Sequence, residues 1–252
     1  RTSNVVVTSG TIANGVALSG NGSGTVTIGA SISDTAGYAV QIANRGAGAG
    51  QVDINGAVTS GTGAVSIQTN SAGIVNFGGT VTGTGANTSG AINIDATTGG
   101  TVTFAGLVDI DVSGAGTGVS IANSNAGGIF NFTGGLDINS VDGTGFEALS
   151  GTISVAATAG VESITVGNAA ALVLNSVTAN LTFDEINATN TAKASIDIDN
   201  SDGTFALNGG TFNTVVTGTD FSTIDIDQND AGATRALNVA ISGVTINHDA
   251  SP

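Results

Sequence analysis

The 252-residue chain has no cysteine, methionine or tryptophan, and only one proline, one tyrosine and one histidine. Without cysteine there is no disulfide framework, no thiolate metal centre and no thiol nucleophile. Cations are nearly as scarce: Arg1, Arg45, Lys193 and Arg235 stand against 19 acidic residues, a formal net charge of −15. Such a surface repels a phosphate backbone, so nucleic acid is not an expected partner. The longest strongly apolar stretch, Ala169 to Leu174, is far shorter than a membrane span, and no membrane insertion is expected. No basic-then-apolar leader opens the chain, and Arg1-Thr2-Ser3 reads as a processed terminus or the cut edge of a longer protein.

What the chain does have is 40 glycines and a 40% apolar fraction rich in Val, Ile and Ala. That much apolar surface argues against disorder, and the lack of a G-X-Y period excludes collagen. Helices are disfavoured by the Gly, Thr, Ser, Val and Asn content, and no long i, i+3, i+4 stripe is present. Short period-2 alternations broken by Gly, Asn, Asp and Ser recur instead, the pattern of strands and turns.

The alternations repeat. One strand reads Thr25–Ile28, Gln51–Ile54, Ile74–Phe77, Thr101–Phe104 and Ile129–Phe132, its last apolar residue advancing by 26, 23, 27 and 28. A second follows at Ser31–Ser33, Ala57–Thr59, Thr80–Thr82 and Leu107–Asp109, and a third at Val40–Ile42, Val65–Ile67, Ile92–Ile94 and Val119–Ile121. Three strands per period of about two dozen residues make one turn of a parallel β-helix. Each strand then pairs with its equivalent one turn away and like side chains stack. Phe77, Phe104 and Phe132 are expected to stack inside, continuing a column begun by Ile28 and Ile54. Asn44, Asn70, Asn123, Asn200 and Asn229 follow the third strand, where their amides are expected to bond between turns.

Beyond about Asp142 the repeat is expected to tighten, because Ile153–Val155 and Leu172–Leu174 lie only 19 residues apart. The longer period returns with Phe205–Leu207 and Leu237–Val239, and Ser195–Asp199 and Thr223–Asp227 repeat at 28. The expected fold is all-β: a single right-handed parallel β-helix over residues 1–252, of roughly ten coils with three short strands each. A change of coil length is expected near residues 143–195.

Gly143–Val155 (GTGFEALSGTISV) and Ala171–Phe183 (ALVLNSVTANLTF) resemble the glycine/threonine-rich beta strand repeat regions of large bacterial surface or secreted proteins, and the likeness extends loosely over residues 25 to 246. The resemblance implies an extracellular or cell-surface β-solenoid segment of an adhesin-like protein. It brings no catalytic residues with it.

Three chemistries merit residues. Calcium is the first: Asp197, Asp199 and Asp202 recur as Asp225, Asp227 and Asp230 at the same offsets, and alternate aspartates on a strand face one side. The alternative is a solvated acidic face, since Gln68, Asp95 and Ala122 occupy the position of Asp199 in earlier coils. Polysaccharide cleavage is the second, with Glu147, Glu162, Asp184, Glu185 and Lys193 as the only acid–base cluster; the chain is nonetheless expected not to be an enzyme. Ice binding is the third, but the outward pairs Thr25/Thr27, Gln51/Asp53, Ile74/Asn76, Thr101/Thr103 and Ile129/Asn131 are mixed. The expected role is therefore a non-enzymatic structural or adhesive segment, with a glycan or surface receptor as a candidate partner. Val5–Val7 and Val244–Ile246 begin and end the pattern with no helix to cap either end, so the chain is expected either to continue or to stack on copies of itself end to end.

Overall fold

The computed structural model describes every residue except 1–4, 8–9, 14, 85–89, 123–126, 157–160, 192–193, 217–221, 229–234 and 251–252; of residues 5–7, 12–13, 190–191, 215–216 and 248–250 the backbone alone is described. The described residues fold as a right-handed parallel β-solenoid with three strands per coil. A first sheet of ten strands runs from Val5–Val7 to Leu237–Ile241. A second sheet, also of ten, runs from Thr11–Ala13 to Val244–Ala250. The third, of nine, runs from Val16–Ser19 to Ile224–Asp227.

Every sheet pair is parallel, and the register follows the sequence repeat. Ile28, Ile54, Phe77, Phe104 and Phe132 are consecutive partners in the first sheet. Their alternation with outward polar residues is what fixes that register, since a slip of one residue would turn the whole row to solvent. The rings of Phe77, Phe104 and Phe132 stack at 4.8 and 4.9 Å, within 9° of parallel, and all three are buried. Ring spacing equals strand spacing, so the aromatic stack is set by the backbone ladder. Phe146 closes on Phe132 edge-on at 5.7 Å from the third sheet.

The third sheet is the most regular. Val16, Val40, Val65, Ile92, Val119, Phe146, Leu172, Ile196 and Ile224 form one column, and Leu18, Ile42, Ile67, Ile94, Ile121, Ala148, Leu174, Ile198 and Ile226 the next.

Two corners explain much of the small-residue content. Asn44, Thr69, Ala96, Ser176 and Asn200 each follow a third-sheet strand, and each has φ between 46 and 57°. Each donates its backbone N–H to a carbonyl of the next coil, at 2.8–3.2 Å. Asparagine tolerates this left-handed backbone readily, and of the expected amide bonds between turns the one at Asn70 is present. Asn70 lies one residue further on, buried, with its Oδ1 accepting the Arg45 backbone N–H at 3.2 Å. Asn123 and Asn229 lie outside the described residues. At the corner between the first and second sheets, a Cβ on Gly106 would run into the carbonyl oxygen of Gly79 on the preceding coil. Gly79 stands in the same relation to Gly56. Glycine here permits close approach of successive backbones.

Partners in successive coils lie 27 and 28 residues apart at Phe77–Phe104 and Phe104–Phe132. They lie 22 apart at Ser163–Glu185, 24 at Ala179–Gly203 and 34 at Gly203–Leu237, so coil length does change in the expected region, but the spacing of 19 has another origin. Ile153 pairs with Phe130 and Ala179 in the first sheet, whereas Leu172 pairs with Phe146 and Ile196 in the third. The spacing of 19 therefore joins two different sides of the solenoid, and two triplets with the same alternation cannot be told apart by pattern alone. Phe205 meets Val239 and Leu237 meets Gly203, a shift of two residues from the expected alignment. Strand length changes as well. Val5–Val7 and Val26–Ile28 have three residues, while Val177–Phe183, Glu185–Thr191, Gly210–Val216 and Val244–Ala250 have seven. The first and second sheets broaden toward the C-terminal end.

Candidate functional site

The acidic repeats lie on the outer face of the third sheet. Asp197 pairs with Asp225 and Asp199 with Asp227, so four carboxylate-bearing residues occupy two adjacent strands about 4.8 Å apart. Burial, then Asp227 and Asp225, raise the Asp199 carboxyl above the ordinary aspartate value. The third member of the triplet departs. Asp202 begins a strand of the first sheet, Asp202–Leu207, and accepts hydrogen bonds from the Ala236 N–H at 2.8 Å and the Arg235 guanidinium at 3.0 Å. Those two donors, the backbone one first, hold its carboxyl below the ordinary value. Asp230 lies outside the described residues. Calcium requires six to eight oxygens around one point, and no three Asp, Glu or His side chains converge in that way among the described residues. Asp202 is thus taken by Arg235 and lies on another sheet from Asp197, Asp199, Asp225 and Asp227.

The acid–base candidates are scattered as well. Glu147 is on the outer face of the third sheet, between Ser120 and Val173 in the pairing. Glu162 is buried at the start of a second-sheet strand, beside Leu136. Asp184 and Glu185 sit at and just after the corner that leads into Glu185–Thr191, and Lys193 lies outside the described residues. A trough of about 500 Å³ lies between the second and third sheets, lined by Asp142, Glu147, Asn168, Val173 and Asp197 among others. Glu147 and Asp197 share one outward row with Val173 between them. Two strand spacings put their backbones about 9.6 Å apart. No aromatic side chain floors the trough. Every described phenylalanine is buried, and the Tyr38 hydroxyl donates to the Gly90 carbonyl at 2.9 Å.

Sequence reasoning missed one feature and saw only the first five members of another. One is a second acidic group on the second sheet, where Asp109 pairs with Asp137 and Asp111 follows two residues on. Burial, then Asp111 and Asp137, raise the Asp109 carboxyl. The signal was present as Val108-Asp-Ile-Asp-Val112 over Leu136-Asp-Ile-Asn139, an IDID-like repeat in an earlier pair of coils. The other is an unbroken polar row on the first sheet: Thr27, Asp53, Asn76, Thr103, Asn131, Ser154, Asn180, Thr204 and Asn238. Its members bond along the axis: Asn76 Nδ2 to Asp53 Oδ1 at 2.8 Å, and Thr204 Oγ1 to Asn180 Oδ1 at 3.1 Å. The flanking row is mixed, with Ile74 and Ile129 exposed beside Thr101 and Thr152.

The outer faces thus carry a polar row on the first sheet and acidic pairs on the second and third. Comparison of the chain with protein-family models, with curated proteins and with solved structures returns no match.

Proposed function

We propose that the chain is a non-enzymatic structural or adhesive segment of a bacterial extracellular or cell-surface protein, in which the solenoid acts as a stiff, acidic spacer. The observation that carries the reading is the unbroken ladder of three sheets, whose conspicuous residues serve packing and whose candidate acids lie on different sides. The resemblance of Gly143–Val155 and Ala171–Phe183 to glycine/threonine-rich surface repeats supports the extracellular placement. Acidic outer rows support it too, because like-charged faces resist sideways pairing of sheet edges and rods. A glycan or surface receptor is the partner an adhesive segment would take.

Incubation with acidic and neutral polysaccharides, with and without calcium, should release neither unsaturated uronide nor new reducing ends. Antibody labelling of intact producing cells should detect the chain at the surface. Cleavage, or labelling only after lysis, would overturn the reading. A second reading, a polysaccharide-binding or polysaccharide-cleaving β-helix, is favoured by the Glu147–Asp197 trough alone. Glycoside hydrolysis uses a pair of carboxyl groups that flank the scissile bond. Cleavage that disappears in Glu147→Gln would establish it. The mixed row beside the polar row argues against ice binding, which a thermal-hysteresis measurement decides.

A further inference from the structure

The three sides of the solenoid differ in charge. The second sheet turns Asp109, Asp111 and Asp137 outward, and the third turns out Asp95, Glu147 and Asp197. The first sheet does not follow them, although the chain carries a formal net charge of −15. Over its seven strands from Val26–Ile28 to Val177–Phe183, the outward positions hold Thr, Asn, Ser, Gln and Ile, and Asp53 is the single acid. That carboxylate is engaged by its neighbours: Asp53 Oδ1 accepts from Gln51 Nε2 at 2.7 Å and from Asn76 Nδ2 at 2.8 Å. Two outward isoleucines, Ile74 and Ile129, are 45% and 40% exposed and lie two coils apart, with Thr101 between them.

Resting on the reading of the chain as an adhesive segment, we infer that this face is its contact surface and that the partner is an uncharged, extended polysaccharide of the cellulose type, lying along the solenoid axis. Charge selects the partner first. An anionic polysaccharide or lipid surface is repelled by the chain as a whole, and a cationic one is drawn to the acidic second and third sheets. An uncharged partner meets no such bias and gains most where no carboxylate must be stripped of water, which is the first sheet. Sugar hydroxyls both donate and accept, as do the hydroxyl and amide side chains of this face. The C–H faces of the sugar rings give Ile74 and Ile129 apolar cover. Size then separates a glycan from a second copy of the chain. Six strand spacings make the strip about 29 Å long and four residues of each strand make it about 13 Å wide, roughly 400 Å² in all. A stable protein pair buries about 800 Å² on each partner, twice what the strip offers. A single sugar chain needs only a narrow, straight track. Cellulose-type chains are straight and flat, whereas amylose coils away from a linear array of strands.

Adsorption to microcrystalline cellulose, read as depletion of the chain from solution, should saturate and should survive a rise in ionic strength that screens charged contacts. Ile74→Ser with Ile129→Ser should weaken it about tenfold, the order expected when two half-exposed aliphatic contacts are lost, while the circular dichroism spectrum is kept. Asp109→Asn with Asp137→Asn, on the second sheet, should leave it unaltered. Hydroxyl-radical footprinting of the unaltered chain with soluble cellohexaose needs no variant: Ile74 and Ile129 should be protected, and the comparably exposed Val141 and Leu149 should not. No saturable adsorption, an equal loss from the second-sheet variant, tighter binding to polygalacturonate or amylose than to cellulose, or protection of Val141 in place of Ile74 would overturn the inference. A dimer in sedimentation that Ile74→Ser with Ile129→Ser abolishes would give the face to a second copy and overturn it as well. The two readings fail separately. A surface-labelled chain that ignores cellulose overturns this inference alone, whereas labelling only after lysis overturns the surface reading and leaves a measured adsorption standing.

Discussion

Phe77 and Phe104 are 27 residues apart in the chain, yet their rings lie 4.8 Å apart and 9° from parallel. The distance is that of neighbouring strands, so the pair reports the repeat of the whole fold. Phe104 also stacks on Phe132, and its removal uncovers two partners at once. Phe104→Ala should cost about 3–5 kcal/mol in denaturant unfolding. Phe104→Asp should abolish the cooperative transition, because a buried charge would interrupt three successive coils. A fully folded aspartate variant would contradict the internal stack.

Gly106→Ala is expected to be out of proportion to its size. The new methyl group meets the Gly79 carbonyl oxygen, a backbone atom that cannot turn aside. A loss of about 1–3 kcal/mol is expected from the forced separation of coils. Gly22→Ala, where the added atom meets nothing within 4 Å, should be neutral or slightly stabilising. Thermal unfolding of the two variants side by side provides the check.

Thr69 occupies a left-handed corner at φ 55° and is exposed. A β-branched residue is ill suited to that region, while asparagine enters it readily. Thr69→Asn should raise stability by roughly 0.5–1 kcal/mol through relief of this strain. An unchanged or lower melting temperature would show that the hydroxyl or methyl of Thr69 does something the corner geometry does not require.

The acidic rows give a pH dependence of mixed sign. Asp109 and Asp199 have carboxyls raised above the ordinary value, so the folded chain takes up their protons before the unfolded chain does. Stability from these two sites should rise as pH falls through the window just above the ordinary aspartate value. Asp202 is held below that value, and its contribution, present above it, should be lost as pH falls further, through the lowered folded value. Asp109→Asn with Asp199→Asn should therefore melt higher than the unaltered chain near neutrality and lose that advantage in acid. Asp202→Asn should melt lower near neutrality. Calorimetric titration with calcium should show no saturable heat that Asp199→Asn or Asp227→Asn removes.

Which residues face inward was legible from the alternation itself. The columns of Ile28, Val40 and Val58 follow from a period-2 pattern repeated about every two dozen residues. The pairing of Asp197 with Asp225 and Asp199 with Asp227 was equally readable, since identical strands 28 residues apart stack in identical register. The placing of Asp202 with Asp197 and Asp199 on one face is where that logic stops. Asp202 lies past the corner, and the direction of a corner depends on backbone dihedrals that a spacing does not record.

The sequence by itself determined the class of fold, the register of its repeated strands and the inward stack of Phe77, Phe104 and Phe132, because all three follow from periodicity and the burial of apolar surface. Only the tertiary structure decided that Ile153 and Leu172 belong to different sheets and that Asp202 turns to Arg235. Each of these depends on where a coil bends and which coil comes next. A local alternation of apolar and polar residues is the same on every side of the solenoid and carries no information about either.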